Sequence, residues 1–308
     1  MPAELPQLGG AIFLTDAGLE TDLVFQQGID LPEFASFPLL ERQEGREVLR
    51  SYYGSFVEVA QRDGTGLVFE TPTWRANADW GARLGYSPAQ LDVVNRDAVA
   101  LLRSLAAEHP DTTIVISGNL GPRGDGYVTG DRMTAEEAVS YHEAQIRSFA
   151  DAGADMVCAL TMGYVEEAIG VVLAARRHAM PVAISFTVET DGSLPSGQLL
   201  AEAISEVDSA TEDQAAYFMV NCAHPSHFVG VLAEPGPWSR IRGVRANASR
   251  LSHAELDNAT ELDRGNEDEL AESYLALRSL LPELAVVGGC CGTDVAHVSA
   301  ISAAFARR

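Results

Sequence analysis

The chain of 308 residues contains no lysine: all 21 of its basic residues are arginine, set against 44 acidic residues for a formal net charge of -23. The missing lysine excludes a Schiff-base nucleophile, a pyridoxal phosphate attachment point and the lysine of a Walker phosphate loop. An acidic chain with no visible basic patch repels phosphate backbones, so nucleic acid is not an expected partner. No apolar run approaches the roughly twenty residues that span a bilayer. The start, Met1-Pro2-Ala3-Glu4-Leu5-Pro6, lacks the basic and apolar regions of a secretory signal. A soluble cytoplasmic protein is the expectation. Cysteine is also scarce, with four in the chain, and in a reducing compartment clustered thiols point to metal or catalysis more than to a disulfide scaffold.

What is present is a recurring apolar run that ends in small or polar residues and is followed by a helical stretch. The runs are Ile12 to Gly18, Leu67 to Thr73, Thr113 to Gly121, Asp155 to Thr161, Val182 to Val188, Tyr217 to Cys222, Gly243 to Ala248 and Leu284 to Gly292. Continuous rather than alternating apolar residues fit strands buried on both faces of a parallel sheet. Helices are predicted over Ser51 to Ala60, Asn95 to Glu108, Ala138 to Ala152, Val165 to Ala179 and Glu267 to Leu281. Thr134-Ala135-Glu136-Glu137 reads as a capping box and Gly153 as a helix stop. Eight such units in a chain of this length predict a (β/α)8 TIM barrel, a single α/β domain over residues 1 to 308, with a doubly wound open sheet as the competitor. The unusual residues gather at the C-terminal ends of the runs, where such barrels place chemistry, and this favours the barrel.

Chief among those residues are Cys290 and Cys291 in Gly288-Gly289-Cys290-Cys291-Gly292-Thr293, and Cys222 in Asn221-Cys222-Ala223-His224-Pro225. Adjacent cysteines hardly meet ordinary disulfide geometry with each other, and the flanking glycines let the backbone approach a ligand closely. Three thiols without a C-x-x-C pair suit a metal with one open position rather than a structural zinc knot, although buried or redox thiols remain an alternative. Cys158, inside an apolar run without a partner in sequence, reads as a core residue.

Asp16-Ala17-Gly18 with Glu20-Thr21, Asn221-Cys222 with His224-Pro225, Arg245-Ala246-Asn247-Ala248 and the Gly-Gly-Cys-Cys-Gly-Thr block together resemble the homocysteine S-methyltransferase family, from near residue 12 to near residue 300. The resemblance implies the same barrel, zinc held by Cys222, Cys290 and Cys291, and methyl transfer from an onium donor to the thiol of homocysteine, giving methionine. The donor is of the S-methylmethionine, S-adenosylmethionine or betaine type. It also implies that Asp16 and Gly18 help hold the amino acid acceptor, with Ala17 standing where a glycine is common; the competing expectation for Asp16 is a cap on the following helix. Asn221, beside a metal ligand, is expected to orient the zinc shell or the acceptor, with backbone support as the alternative. On the fourth run the family carries a Glu-Thr pair whose glutamate holds the substrate amino group; here Leu160 precedes Thr161. A leucine cannot pair with an ammonium group, so a different small thiol is the alternative acceptor. Less favoured are a zinc hydrolase and a non-catalytic or redox barrel.

Glu70, followed by Thr71 and Trp74 at the second run, is a candidate replacement for the missing ammonium anchor; the competing expectation is a solvated or structurally paired carboxylate. Trp74, Trp80, Tyr127, Tyr164 and Phe186 are expected around the barrel mouth, with Trp74 the best candidate to face an onium group. His224 and His227 are read as support rather than ligands. The glycine-rich stretch from Gly118 to Gly126 is expected to be a mobile loop over the mouth, and the acidic stretch from Glu255 to Glu272 a solvated loop and helix face. The expected partners are the small-molecule thiol and the methyl donor, and a homo-oligomer is left open.

Overall fold

Uninterrupted apolar runs such as Leu67-Val68-Phe69 need cover on both faces, which a barrel lined by side chains and ringed by helices provides. The computed structural model describes residues 5–306 apart from 260, and has this arrangement. Its strands are β1 (Phe13–Thr15), β2 (Gly66–Glu70), β3 (Ile114–Leu120), β4 (Met156–Met162), β5 (Val182–Phe186), β6 (Tyr217–Asn221), β7 (Ile241–Ala246) and β8 (Val286–Gly289). Each pairs in parallel with its neighbours in chain order, and β8 pairs with β1 to close the barrel.

Because side chains alternate along a strand, each run divides between two cores. Val68, Val115, Met156, Cys158, Leu160 and Met219 pack together inside the barrel, while Leu67, Phe69, Ile116, Val157 and Ala159 pack outward against the helices. Cys158 is fully buried there, as a core residue. Two residues beyond Val68 and Met219 come Glu70 and Asn221, so the same alternation brings polar side chains into the barrel at its C-terminal end. The other end is plugged by Leu5 and by fully buried Gln7, whose Nε2 donates to Tyr217 Oη at 3.4 Å.

The five expected helices are present as Gln43–Asp63, Pro88–Ala107, Ala135–Asp151, Val165–Arg177 and Glu267–Leu280. The first three start earlier than expected: the first turn of Gln43–Asp63 is polar, and Pro88–Ala107 opens at a proline behind the Ser87 capping box. Short Leu200–Thr211, Pro225–Leu232 and Val295–Ala306 complete the ring. β1 and β8 end at Thr15 and Gly289, so Asp16 to Gly18 and Cys290 to Gly292 lie in loops rather than on strands. No helix of the described residues is long and apolar enough to cross a membrane.

The Thr134 capping box forms in both directions: Glu137 N donates to Thr134 Oγ1 at 3.2 Å and Thr134 N to Glu137 Oε2 at 2.8 Å. Gly153 follows the helix at φ +79°, a conformation that strains any residue with a Cβ. Thr134→Ala should lower unfolding stability by about 1 kcal/mol in urea titrations; an unchanged midpoint would contradict the assigned cap.

Candidate active site

An arginine in a strand that is otherwise apolar has to find its counter-charge inside the protein. Arg245, on β7 and 4% exposed, does so at the barrel mouth. Its Nη1 lies 3.1 Å from Asp16 Oδ1, its Nη2 donates to Ala17 O at 3.0 Å, and its Nε donates to Gly289 O at 3.0 Å. One guanidinium thus ties the ends of β1, β7 and β8 together. Tyr52 adds to the clamp, donating to Asp16 Oδ2 at 3.3 Å and accepting from Ala17 N at 3.1 Å. Burial pushes the Asp16 carboxyl above its ordinary value, and the Arg245 charge pulls it back.

This clamp brings the three cysteines together. The sulfurs of Cys222, Cys290 and Cys291 all lie within 4.8 Å of one another. Cys222 and Cys290 are joined as a disulfide, with Cys291 free, so a metal would take the pair in its reduced state. A tetrahedral site with zinc to sulfur distances of about 2.3 Å needs sulfurs about 3.8 Å apart. The three sulfurs are gathered closely enough for one metal to reach all of them once the Cys222–Cys290 bond is reduced, and the all-sulfur donor set suits zinc. Gly18 lies so close to the Cys290 carbonyl that a Cβ there would collide with it.

Asn221 organises the space beneath the sulfurs. Its Oδ1 accepts from Thr161 N at 2.8 Å and from Ser185 Oγ at 2.6 Å, and its Nδ2 donates to Thr161 Oγ1 at 2.8 Å and points toward Cys290 Sγ at 4.0 Å. Thr161 and Cys222 both adopt positive φ, +63° and +53°. Such strain costs roughly 1 to 3 kcal/mol per residue and persists where surrounding bonds enforce it. Here Cys222 N donates to Arg245 O at 3.1 Å, and Asn247 Nδ2 donates to Cys222 O at 3.0 Å.

The cysteines open into a cavity of about 430 Å³, a size that suits a small metabolite. Asp16, Ala17, Gly18, Glu70, Thr71, Trp74, Leu160, Thr161 and Asn221 all line it, so the structure brings these residues and the three cysteines to one place. Leu160 faces the barrel interior at 6% exposure. Glu70 is 3% exposed, and its Oε2 has no hydrogen-bond partner among the described residues. Burial pushes its carboxyl up to about 8, against the opposing pull of Arg245. A solvated carboxylate is therefore ruled out at this position.

Three aromatic expectations need correction. Phe186 is fully buried outside the barrel, stacked on Phe218 with ring centroids 6.1 Å apart, because its strand position faces the helices. Tyr164 points to the loop ahead of Ala135–Asp151, where its Oη accepts from Met133 N at 3.2 Å, and Trp80 packs behind the cavity wall. Tyr127 does line the mouth, stacked on His253 at 4.0 Å. Trp74 lines the cavity as expected, and one face of its ring carries the Arg75 guanidinium, 4.2 Å from the ring centroid. Within the glycine-rich stretch, Gly118 to Leu120 belong to β3, and Asp125 reaches the cavity from the loop beyond.

Several cavity residues were not assigned a role from sequence. Arg245 and Asn247 belong to the Arg-Ala-Asn-Ala block, where a charged residue inside an apolar run was the available signal. Leu256, Ala259, Glu261, Leu262 and Asp263 wall the mouth, although their stretch reads as solvated; local acidity hides the interspersed apolar residues that face inward. Glu20 accepts from Ser36 Oγ at 2.7 Å beside the cavity, and burial raises its carboxyl. His224 caps the helix Pro225–Leu232 by accepting from Ser226 N at 3.2 Å, and His227 Nε2 bonds Arg250 O at 2.9 Å.

Glu70 makes stability depend on pH. Its folded value near 8 exceeds an ordinary carboxyl near 4.5, so the contribution is full below pH 4.5 and is lost as pH rises through about 8. Glu70→Gln should therefore match the wild type in denaturant titrations at pH 4 and exceed it at pH 9. Parallel stability curves for the two proteins would contradict a carboxyl raised by burial.

The chain is 28% identical over 233 residues to the methionine synthase of Mycobacterium tuberculosis, an alignment covering 69% of this chain and 18% of that enzyme. It thus spans less than a fifth of that relative. The fold is shared with the homocysteine methyltransferase MmuM from Escherichia coli. Its metallated form gives a TM-score of 0.73 at 20% identity, covering 95% of this chain and 96% of the other. Its oxidised form gives 0.75, also at 20% identity and covering 95% of each chain. Residues 13–305 match the homocysteine S-methyltransferase sequence family from end to end of the barrel, and the chain belongs to that family.

Proposed function

We propose that the protein moves a methyl group from an onium donor to the thiol of homocysteine, with zinc held by Cys222, Cys290 and Cys291. The observation that carries this reading is the meeting of three cysteine sulfurs, from the ends of β6 and β8, at the wall of a cavity on the C-terminal face of the barrel. Cys222, Cys290 and Cys291 would hold the zinc, and the chemistry it would supply is a position at which a thiol would give up its proton and stay nucleophilic.

The chain's own residues would supply binding and alignment. The acceptor sulfur must attack the methyl carbon in line while the donor's bond to that carbon breaks and its electron pair leaves with the thioether or amine. Holding the two partners in that geometry provides much of the rate enhancement. The Asn221 network would keep the Cys222 and Cys290 loops in register during the transfer. Glu20, Glu261 and Asp263 at the mouth give the cavity the negative field that draws in a cation. In the absence of a glutamate on β4, Glu70 would receive the acceptor's ammonium group, and the unsatisfied Oε2 is the group available for it.

A second reading keeps the chemistry and changes the acceptor. Leu160 puts an apolar side chain where the family holds an amino group, which favours a thiol lacking that group.

The test crosses homocysteine and other small thiols with S-methylmethionine, S-adenosylmethionine and betaine, using reduced protein. One thiol and donor pair should give methylated product with about one zinc per chain, and Cys290→Ser should lose both. Activity that survives complete metal removal would contradict the proposal. Glu70→Ala should raise the KM for an amino acid acceptor at least about tenfold, whereas an unchanged KM would favour the second reading.

A further inference from the structure

Two guanidinium groups line the cavity, and they are in opposite situations. Arg245 is fully committed to Asp16, Ala17 and Gly289. Arg75 is 9% exposed and makes no ion pair among the described residues; its Nε has no hydrogen-bond partner there, and its Nη1 reaches only Gly124 O at 3.5 Å. The neighbouring acids are engaged elsewhere, Glu20 with Ser36 Oγ and Asp125 with the amides of Tyr127 and Val128. His253, also on the cavity wall, is held neutral at pH 7 because burial lowers it to about 4.

A buried charge without a counter-charge is costly, so its retention calls for a cause. The side chain is also fixed in place. Its Cζ lies 3.5 Å from the Trp80 ring centroid and 4.2 Å from that of Trp74, which leaves the planar edge of the guanidinium as the part able to donate. Arg83 stacks on Trp80 as well, at 4.1 Å, but has Glu33 at 3.7 Å as its carboxylate partner. In this run of stacked arginines and indoles, the arginine that faces the cavity is the one without an acid.

We propose that Arg75 is the carboxylate-binding residue of the cavity, receiving the carboxylate of a small thiol-bearing acid whose sulfur occupies the cysteine end. The sulfur end of this assignment rests on the function proposed above; the carboxylate end rests on Arg75 alone. A planar guanidinium held between two rings offers parallel N–H donors to two carboxylate oxygens, with little side-chain freedom left to lose on binding. The site therefore selects for an acid over an alcohol or amide of the same length.

The experiment compares 3-mercaptopropionate with 3-mercaptopropan-1-ol by calorimetry on the zinc-loaded full chain, for the wild type, Arg75→Met and Arg75→Lys. The wild type should prefer the acid by about tenfold or more. Arg75→Met should abolish that preference while binding the alcohol as before, and Arg75→Lys should restore part of it, which a general loss of folding would not do. Equal binding of the two probes by the wild type, binding of neither, or a preference that survives in Arg75→Met would each overturn the inference. A preference that Arg75→Met abolishes in a protein that transfers no methyl group would sink the proposed function and leave the carboxylate site standing.

Discussion

The buried pair of Arg245 and Asp16 is the contact on which the rest of the site depends. The barrel makes its strands parallel and in order, but their loops would be free to diverge beyond the last ladder bond. One guanidinium on β7 reaches the Asp16 and Ala17 loop on one side and the Gly289 carbonyl on the other. Gly18 then packs directly beneath the Cys290 carbonyl. The cysteine loops are thus set by a buried charge pair, and removal of one partner would leave the other uncompensated, at roughly 3 to 5 kcal/mol.

The same economy appears in the backbone. Cys222 and Thr161 hold left-handed conformations that only a tight network sustains, and Asn221 supplies much of that network from beside the sulfurs. Strain of this kind re-aims a side chain at the end of a strand. It turns Cys222 toward the two cysteines that follow β8. The cavity above them is polarised, with acids at the mouth, the Glu70 carboxyl with one oxygen lacking a hydrogen-bond partner among the described residues, and the Arg75 guanidinium without an ion pair there.

How much of this could be seen in the sequence depended on whether a residue's role was local. The strands were legible because double burial leaves continuous apolar runs, and the Thr134 cap because it closes within four residues. The cysteines, Asn221 and Glu70 were legible as polar residues that end those runs. Phe186 was misplaced because a one-residue change of register along a strand exchanges the inside of the barrel for the outside, and the run alone does not fix which face a given aromatic takes. The role of Arg75 was hidden for another reason: its partners, Trp74 and Trp80, read as free aromatic faces until the chain is folded. The part of the wall formed by Leu256, Ala259 and Leu262 was hidden by the acids among which these apolar residues sit.

The account centres on three thiolates that leave one metal position open for a sulfur. Zinc-edge X-ray absorption on the reduced protein, before and after addition of the thiol acceptor, measures that most directly. Three zinc to sulfur bonds at about 2.3 Å should become four when the thiol is added. A sulfur count that stays the same on adding a thiol the protein methylates would contradict the account.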